Sequence, residues 1–349
     1  MIRESLTISV IIPVVNPPIE RFRACLDSIL AQNYRNWEMI IVNDGSDDPV
    51  LLEALSDIAH SDTRVRVHNQ KNAGPGHARN VGTHLATGDY VTFVDADDEL
   101  PPYVFSNVAE ILQRDRVDLV LGYVQPVVQD RDKTDRQGRG HRFLSIEEVH
   151  SLFDFTLAGV DEFEIARTPW GTLKNGPVAR FLAAPFAKEL QFPVQFSVSE
   201  DTIWNLKLFS RAKSVVVSHS IWYWYWVSHG STSRGFKHDA PNQALAFFSS
   251  LKEALGDRLV SDRDRALAIS RVATEVHRAS RTFYAHPHAG LSLAEQVHYA
   301  RILFRASPLT RNAPLVAIMR LGLKPFVKYL LCASGAAPLA WRLRRQVMS

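Results

Sequence analysis

Three aspartates lie within four residues of one another in the motif Asp95-Ala96-Asp97-Asp98, directly after an apolar run of strand length. Carboxylates crowded at the end of a buried strand repel one another. Hard oxygen ligands of this kind suit Mg²⁺ or Mn²⁺, which can bridge to a diphosphate. The same residues could instead form an acidic turn that caps a helix beginning near Pro102. The motif alone leaves both interpretations open.

A second polar segment, Asn-Asp-Gly-Ser-Asp-Asp at residues 43–48, also follows an apolar run of strand length. Asp-Gly-Ser favours a turn, so a turn and a helix cap would account for Gly45 and Ser46. Turn chemistry does not explain why two strand ends on one edge of a sheet are both acidic. The functional interpretation is that Asp44 accepts hydrogen bonds from a nucleobase or a ribose.

The segment Asn-Ala-Gly-Pro-Gly-His-Ala-Arg-Asn at residues 72–80 opens a helix. It is not a dinucleotide-binding fingerprint, because Arg79 stands where the third glycine should be, and it lacks the Gly-Lys-Ser/Thr of a P-loop. Arg79 and Asn80 instead place polar groups one turn into a helix whose N-terminus favours anions. The alternative is that Arg79 is an ordinary surface arginine.

Alternating strand-like and helical segments predict the elements that position these motifs. Strands that are apolar along their whole length and separated by helices imply a mostly parallel sheet flanked by helices on both faces. Ligands bind such sheets beyond the carboxyl ends of the strands, where all three motifs lie. The predicted strands are residues 8–13, 38–42, 64–67, 90–94 and 118–128, and the predicted helices are residues 19–32, 50–58, 76–86 and 102–114.

The pattern is less regular in the rest of the chain. Polar and glycine residues predict a loop at 129–142, and helical spacing predicts a helix at 200–209. Two short strands are predicted within residues 214–227, the second of them very aromatic. Helices are predicted throughout after about residue 240.

Together these motifs resemble family 2 glycosyltransferases with the GT-A fold, which is Rossmann-like. Their order and spacing match over residues 5–130 and more sparsely to residue 233. The resemblance implies a nucleotide-diphosphate sugar donor, with UDP as the first expectation, a Mn²⁺ or Mg²⁺ cofactor, and inversion at the anomeric carbon. The matching segments are residues 11–16, 42–47, 72–80, 88–98 and 199–201.

The resemblance also implies roles for individual residues. Asp44 would contact the base, and Arg79 would support the nucleotide site. Asp95 would reach the ribose and the metal, and Asp97 would bind the metal. The other positions implied to bind the nucleotide sugar are Pro13, Val15, Asn16, Ala96 and, in a loop that would close over the diphosphate, His229, Ser231 and Arg234.

Glu200 and Asp201 resemble the family's Glu-Asp pair at the start of a helix in the acceptor half. An inverting transfer needs a general base that takes the proton of the acceptor hydroxyl as it attacks. The resemblance therefore implies Asp201 as the base and Glu200 as the residue that orients the acceptor. The alternative is structural, because Ser199-Glu200-Asp201 is also a favourable helix N-terminus.

The predicted organisation is a GT-A catalytic domain over residues 1–235 and a helical, basic C-terminal region over residues 236–349. Within the catalytic domain, residues 1–130 would form the nucleotide-sugar half and residues 131–235 the acceptor half. The acceptor is expected to be a glycan or a lipid-linked glycan in polysaccharide or cell-envelope synthesis.

The C-terminal region carries a strong charge asymmetry. No acidic residue occurs from Gln296 to Ser349, whereas nine arginines and lysines lie there, more than the whole net charge of +3. Arg320, Lys324 and Lys328 share one helical face with apolar residues beside it. This pattern predicts a basic amphipathic helix at an anionic membrane surface, and the alternative is a helix packed on the catalytic domain.

The composition, 46% hydrophobic and 22% charged, is that of a folded globular protein. Two cysteines without a Cys-X-X-Cys motif exclude a disulfide framework and favour a reducing compartment. The N-terminal residues lack the pattern of a signal peptide. We therefore expect a cytoplasmic enzyme, peripheral on the inner face of the membrane if the C-terminal region binds lipid, with no nucleic-acid partner.

Two alternatives compete with a glycosyltransferase. The first is a catalytically silent member of the family that binds a nucleotide sugar or a glycan without turnover. The second is a sugar nucleotidyltransferase, which would need a glycine- and lysine-rich N-terminal loop for a triphosphate, and residues 12–17 lack one.

Overall fold

The computed structural model describes residues 6–138, 140–158, 162–168, 171–227 and 236–348. Within these ranges the strands are β1 (Ile8–Val14), β2 (Trp37–Asp44), β3 (Val65–Gln70), β4 (Tyr90–Phe93), β5 (Leu119–Val127), β6 (His141–Phe143), β7 (Glu162–Thr168), β8 (Gly171–Lys174), β9 (Arg180–Ala183) and β10 (Val215–Trp226).

The α-helices in the same ranges begin with four that alternate with the first strands. They are α1 (Ile19–Leu30), α2 (Pro49–Ser61), α3 (Pro75–Leu85), α4 (Val104–Arg114), α5 (Ile146–Ala158), α6 (Ala184–Glu189), α7 (Glu200–Arg211), α8 (Ala240–Leu255), α9 (Asp262–Ala279), α10 (Leu293–Ala306), α11 (Leu315–Arg320), α12 (Leu323–Ser334) and α13 (Ala337–Met348). The strands and helices predicted before residue 130 are thereby confirmed.

The chain forms two compact units. The first takes the described residues within 1–152, 161–194 and 207–228, and the second takes those within 153–160, 195–206 and 229–349. The predicted division into a nucleotide-sugar half, an acceptor half and a C-terminal region is one of function, and it stays a prediction.

The first unit contains a mixed sheet with the strand order β3-β2-β1-β4-β9-β5-β10-β6. Its first four strands are parallel, because β1 pairs in parallel with β2 and β4, and β2 with β3. The short strand β9 then enters antiparallel between β4 and β5. The predicted α/β fold is confirmed, whereas the sheet is mixed beyond β4 because β9 and β6 run against their neighbours.

The core explains how the sheet holds its helices. Every second side chain of β1 lies on the same face of the sheet. On that face Ile8, Val10 and Ile12 are fully buried in one apolar cluster. On the other face, a Cβ atom at Gly82 of α3 would lie only 2.3 Å from Ile11 Cγ2. The backbone of α3 therefore lies directly on β1, which fixes the position of Arg79 one turn earlier in the helix.

The aromatic segment near residue 220 forms one strand, so the prediction of two short strands is wrong. Strand β10 pairs with β5 in parallel, with shifts of register between Val217 and Tyr223. Trp222 is fully buried against Gly122, where a Cβ atom would lie 2.3 Å from the indole ring. The register shifts but the chain stays in the sheet, and it does not turn back between two strands.

The second unit is built around α9, which confirms the predicted helical C-terminal region. Helix α9 packs against α8, α10, α11 and α12. Its buried side chains are small or branched, including Ala266, Ile269 and Val276, which allow close helix packing. Among the described residues, no helix has both the length and the apolar character needed to cross a bilayer.

Candidate functional site

The acidic motif forms a turn directly after β4. The backbone N–H of Asp98 donates to the carbonyl of Asp95 at 3.1 Å, which closes the turn. Helix α4 begins only at Val104, and Tyr103 at its N-cap makes no side-chain capping hydrogen bond. The alternative in which the aspartates cap this helix is therefore wrong.

The three aspartates of this turn have different surroundings. Asp98 is 1% exposed, and its carboxylate accepts hydrogen bonds from the Tyr223 hydroxyl and the Trp226 backbone N–H, both at 2.8 Å. The side chain of Asp95 is 34% exposed, and Asp97 is half-buried. Asp98 is thus a structural residue of the turn, and Asp95 and Asp97 are the carboxylates accessible to a ligand.

The turn concentrates negative charge. Burial, followed by the charge of Asp95, raises the pKa of Asp97 above its usual value. Burial and the charges of Asp95 and Asp97 raise the pKa of Asp98 well above its usual value. Ionised carboxylates in this turn therefore destabilise one another, and a bound cation would relieve that repulsion.

The donor set of the turn fits a divalent cation that also binds phosphate. Magnesium is commonly held by one or two carboxylates together with the phosphate oxygens of a substrate. Asp95 and Asp97 can supply two carboxylates of this kind. Within the described ranges, no group of three or more histidine, cysteine, aspartate or glutamate side chains could complete a metal site by itself. The residues thus fit Mn²⁺ or Mg²⁺ in company with a diphosphate.

Arg79 contacts the accessible part of the turn. Its guanidinium lies 2.8 Å from Oδ1 of Asp95 and 5.5 Å from the ring centroid of Phe192. The side chain is only 7% exposed, so the alternative of a surface arginine is wrong. Helix α3 thereby places a positive charge beside the carboxylates, where it could also contact an anionic ligand.

Asp44 closes the end of β2 onto the loop before α3. Its carboxylate accepts hydrogen bonds from the backbone N–H groups of Ala73 and Gly74 at 2.8 and 2.9 Å, and from Gln70 Nε2 at 2.7 Å. The side chain is buried. Asp44 thus shapes the loop that leads into α3, and its contact with a nucleobase stays a prediction.

The end of β1 lies between the ends of β2 and β4. Val15 is half exposed, Pro13 is partly buried, and Ala96 in the turn after β4 is buried. Asn16 adopts a left-handed φ of +41° and binds Asp47, because its Nδ2 donates to Oδ1 of that residue at 2.7 Å. The sheet register therefore brings the segments after β1, β2 and β4 to one edge, as the sequence predicted.

The remaining predicted residues belong to other parts of the chain. Glu200 and Asp201 form the first turn of α7 in the second unit. Glu200 is buried, and Asp201 is partly exposed with its Oδ1 accepting the Thr202 N–H at 2.7 Å. His229, Ser231 and Arg234 fall outside the described residues.

The profile of the family described as Glycosyl transferase family 2 matches residues 9–168, which include the acidic turn, Asp44 and Arg79. Over this segment the chain is similar to members of that family. It is 29% identical over 241 residues to glycosyltransferase GlyA of Streptococcus pneumoniae, covering 65% of this chain and 31% of GlyA. It is 25% identical over 280 residues to the poly(ribitol-phosphate) beta-glucosyltransferase of Bacillus spizizenii, covering 78% of this chain and 40% of that enzyme.

The glycosyltransferase fold extends over nearly the whole chain. The solved structure of S. aureus TarS residues 1–349 superposes with a TM-score of 0.60 at 18% identity, covering 97% of this chain and 92% of that one. The same TarS segment has been solved with UDP and with UDP-GlcNAc. The GT-A fold predicted from the sequence is confirmed. The matched part spans less than half the length of both GlyA and the Bacillus enzyme.

The sequence analysis missed the residues that hold the acidic turn. The hydroxyl of Tyr223 accepts the Asp95 N–H at 3.0 Å and donates to Asp98 at 2.8 Å. The backbones of Trp224 and Glu99 exchange two hydrogen bonds at 2.9 and 3.2 Å. The end of β10 therefore holds the turn in place. The only feature of the sequence that pointed to this strand was its run of aromatic residues.

A charged cluster beside the turn was also missed. The buried carboxylate of Glu99 accepts hydrogen bonds from Arg21 at 3.0 Å, Lys133 at 2.7 Å and Trp226 Nε1 at 2.9 Å. The Arg21 guanidinium lies 3.5 Å from the centroid of the Trp226 ring, a cation–π contact. No spacing in the sequence joins these residues, because they come from α1, the turn, the loop after β5 and β10.

Proposed function

We propose that the chain is an inverting glycosyltransferase that moves a sugar from a nucleotide-diphosphate sugar, a UDP-sugar in the first instance, to a glycan or lipid-linked glycan acceptor of the cell envelope. The observation that carries the proposal is the accessible pair Asp95 and Asp97 beside Arg79 at the carboxyl edge of the sheet. The match of residues 9–168 to the family 2 model, the TarS complexes with UDP and UDP-GlcNAc, and the name of the Bacillus enzyme support it.

On the donor side, Asp97 and Asp95 would hold Mn²⁺ or Mg²⁺, which supplies positive charge to the departing diphosphate. Asp98 and Tyr223 keep both carboxylates in place, because they fix the backbone of the turn. Arg79 holds Asp95 by its ion pair and adds a further positive charge near the nucleotide. These residues would therefore stabilise the leaving group.

On the acceptor side, Asp201 would act as the general base. The acceptor hydroxyl attacks the anomeric carbon from the face opposite the diphosphate and gives its proton to the Asp201 carboxylate. The new carbon–oxygen bond forms as the bond to the diphosphate breaks, so the anomeric configuration inverts. Glu200 would orient the acceptor.

Stabilisation by nucleotides tests this function and separates it from the two alternatives. We expect UDP, UDP-glucose or UDP-GlcNAc to raise the melting temperature with Mn²⁺ and not with EDTA, because a ligand stabilises the folded state that binds it. A silent member would show the same shift without slow release of UDP from the sugar. A nucleotidyltransferase would instead respond to UTP with a sugar 1-phosphate. The absence of a shift with every nucleotide sugar would contradict the proposal.

We also propose that α11 and α12 contact an anionic membrane surface. Both helices expose large apolar side chains, with Val316 65% and Leu323 77% exposed, and no acidic residue lies between Gln296 and Ser349. Arg320 and Lys324 are exposed beside these side chains, whereas Lys328 is partly buried and donates to Thr274 Oγ1 at 3.2 Å. The prediction that the three cations share one helix is wrong, because α11 ends at Arg320 and α12 begins at Leu323. The membrane contact would use the two exposed cations.

Co-sedimentation with vesicles tests the membrane contact. At low salt the chain should bind vesicles that contain phosphatidylglycerol and not vesicles of phosphatidylcholine alone, and high salt should weaken binding because it screens the charges. Leu323→Glu should reduce binding, whereas Val260→Glu, at an exposed valine outside α11 and α12, should not. Equal, negligible binding to both kinds of vesicle would contradict the membrane contact and favour the alternative of a packed helix.

A further inference from the structure

A buried cluster of charges on α9 contacts the segment that contains Glu200 and Asp201. Glu275 is 1% exposed and forms ion pairs with Arg271 at 2.8 Å and Arg278 at 2.7 Å. We call Arg271, Glu275 and Arg278 the α9 triad. All three residues and the segment they contact belong to the second compact unit.

The α9 triad binds the residues on both sides of the Glu-Asp pair. The hydroxyl of Ser199 donates to Glu275 Oε1 at 2.9 Å. The guanidinium of Arg271 donates to the hydroxyl of the buried Thr202 at 2.8 Å. Residues 200 and 201 are thereby held between two side-chain anchors, one before them and one after them.

The backbone at the first anchor is strained. Ser199 has a φ of +67°, a region that side chains other than asparagine and aspartate seldom adopt. A helix N-cap residue normally has an extended φ, so Ser199 is not an ordinary cap. The hydrogen bond to Glu275 compensates for the unfavourable conformation, and this conformation sets the direction in which the chain enters α7.

The ionisation of Glu275 keeps the α9 triad paired. Burial alone would raise the pKa of Glu275, but the charges of Arg271 and Arg278 and the hydrogen bond from Ser199 hold it below its usual value. Glu275 is therefore ionised at neutral pH and keeps both its arginine partners. Apolar residues of similar volume often replace a buried ion cluster without loss of stability, so stability alone does not require the triad.

We propose that the α9 triad positions Asp201 for proton abstraction through its bonds to Ser199 and Thr202. The inference rests on the proposed role of Asp201 as general base. The residues of the α9 triad are positioning residues, since they act through the backbone of the Glu-Asp segment. The helical C-terminal region would then support catalysis as well as the proposed membrane contact.

Two kinds of variant separate positioning from stability. Ser199→Gly removes the hydroxyl but accepts a φ of +67° without strain, so the fold should hold. The triple variant Arg271→Met, Glu275→Leu, Arg278→Leu removes both anchors without leaving a buried unpaired charge. Thr202→Val removes the second anchor with its shape preserved, and Thr202→Ser retains the hydroxyl as the matched control.

The assay is Mn²⁺-dependent release of UDP from UDP-glucose and UDP-GlcNAc with water as the acceptor, since water also gives up a proton when it attacks. We expect the triple variant, Ser199→Gly and Thr202→Val to lower kcat by about 10- to 100-fold, the usual effect of a small misplacement of a reacting group. The KM for the donor and the melting temperature should change little. Thr202→Ser should retain most of the wild-type rate.

A double-mutant cycle decides whether the triad acts through Asp201. In an Asp201→Asn background the triple variant should cause no further loss, because a positioning residue has no effect once the positioned group is inactive. A full additional loss would overturn the inference, and so would wild-type kcat in folded Ser199→Gly and triple variants. If Asp201→Asn itself releases UDP at the wild-type rate, the base assignment fails, and the positioning role fails with it.

Discussion

Replacing Asp97 with alanine is expected to abolish the Mn²⁺-dependent binding of UDP. Asp97 is one of the two accessible carboxylates of the turn. The third aspartate, Asp98, is buried and hydrogen-bonded to β10. Even changes outside the first coordination shell cost about 10- to 100-fold in metal affinity, so loss of a direct ligand should cost about 100-fold or more. Titration calorimetry of UDP with and without Mn²⁺ measures this effect.

The fold should survive the Asp97→Ala substitution. Burial and the charge of Asp95 raise the pKa of Asp97, so its ionisation above the pKa of an unfolded aspartate favours the unfolded chain. Removing the carboxylate should therefore leave the melting temperature at neutral pH unchanged or slightly higher. Asp57→Ala, at an exposed carboxylate of α2, is the matched control and should bind UDP normally. Unchanged UDP affinity in Asp97→Ala would overturn the metal assignment.

The sequence predicted the parallel half of the sheet because its strands are buried on both faces. Residues such as Ile8, Val10 and Ile12 form apolar runs that are too short for helices and are separated by helical spacing. Parallel pairing then places the polar residues after β1, β2 and β4 on one edge. Local pattern and one topological rule were therefore enough to predict that these segments share one edge, whereas their contact with a donor stays a prediction.

The sequence could not indicate which aspartate of the turn points inward. Asp97 and Asp98 are neighbours of the same type, and their difference comes from Tyr223 and Trp226, more than 120 residues later in the chain. Strand β9 was missed for a similar reason. Its four residues carry no periodicity, and only its pairing with β4 and β5 makes it a strand.

The same limit applies to the segment of residues 199–201, which we propose to be on the acceptor side. The three residues Ser199-Glu200-Asp201 have the composition of an ordinary helix start, and the sequence gives no sign of the left-handed φ at Ser199. Ser199 in that conformation also donates a hydrogen bond to Glu275, 76 residues away. Long-range contacts of this kind decide how a short motif is oriented, and single-sequence patterns do not contain them.

Replacing Asp201 with asparagine separates chemistry from fold on the acceptor side. Asparagine keeps the shape of the side chain, and its carbonyl oxygen can still accept the Thr202 N–H that Asp201 Oδ1 accepts at 2.7 Å. It cannot take the proton of an acceptor hydroxyl. Transfer should therefore fall by about 10²-fold or more, the usual contribution of a positioned general base.

Other properties of the Asp201→Asn variant should hardly change. UDP-sugar affinity should be retained, because the proposed donor ligands are Asp95 and Asp97, and the loss of one carboxylate in the first turn of a helix costs less than about 1 kcal/mol. Transfer rate, UDP-sugar affinity and melting temperature are measured on one preparation, with Glu200→Gln alongside. Transfer at the wild-type rate would move the base to another residue, with Glu200 the next candidate, because it is the adjacent carboxylate in the same helical turn. Unfolding of the variant would instead mean that Ser199-Glu200-Asp201 serves chiefly to begin α7, and that its carboxylates stabilise the helix terminus rather than the transfer.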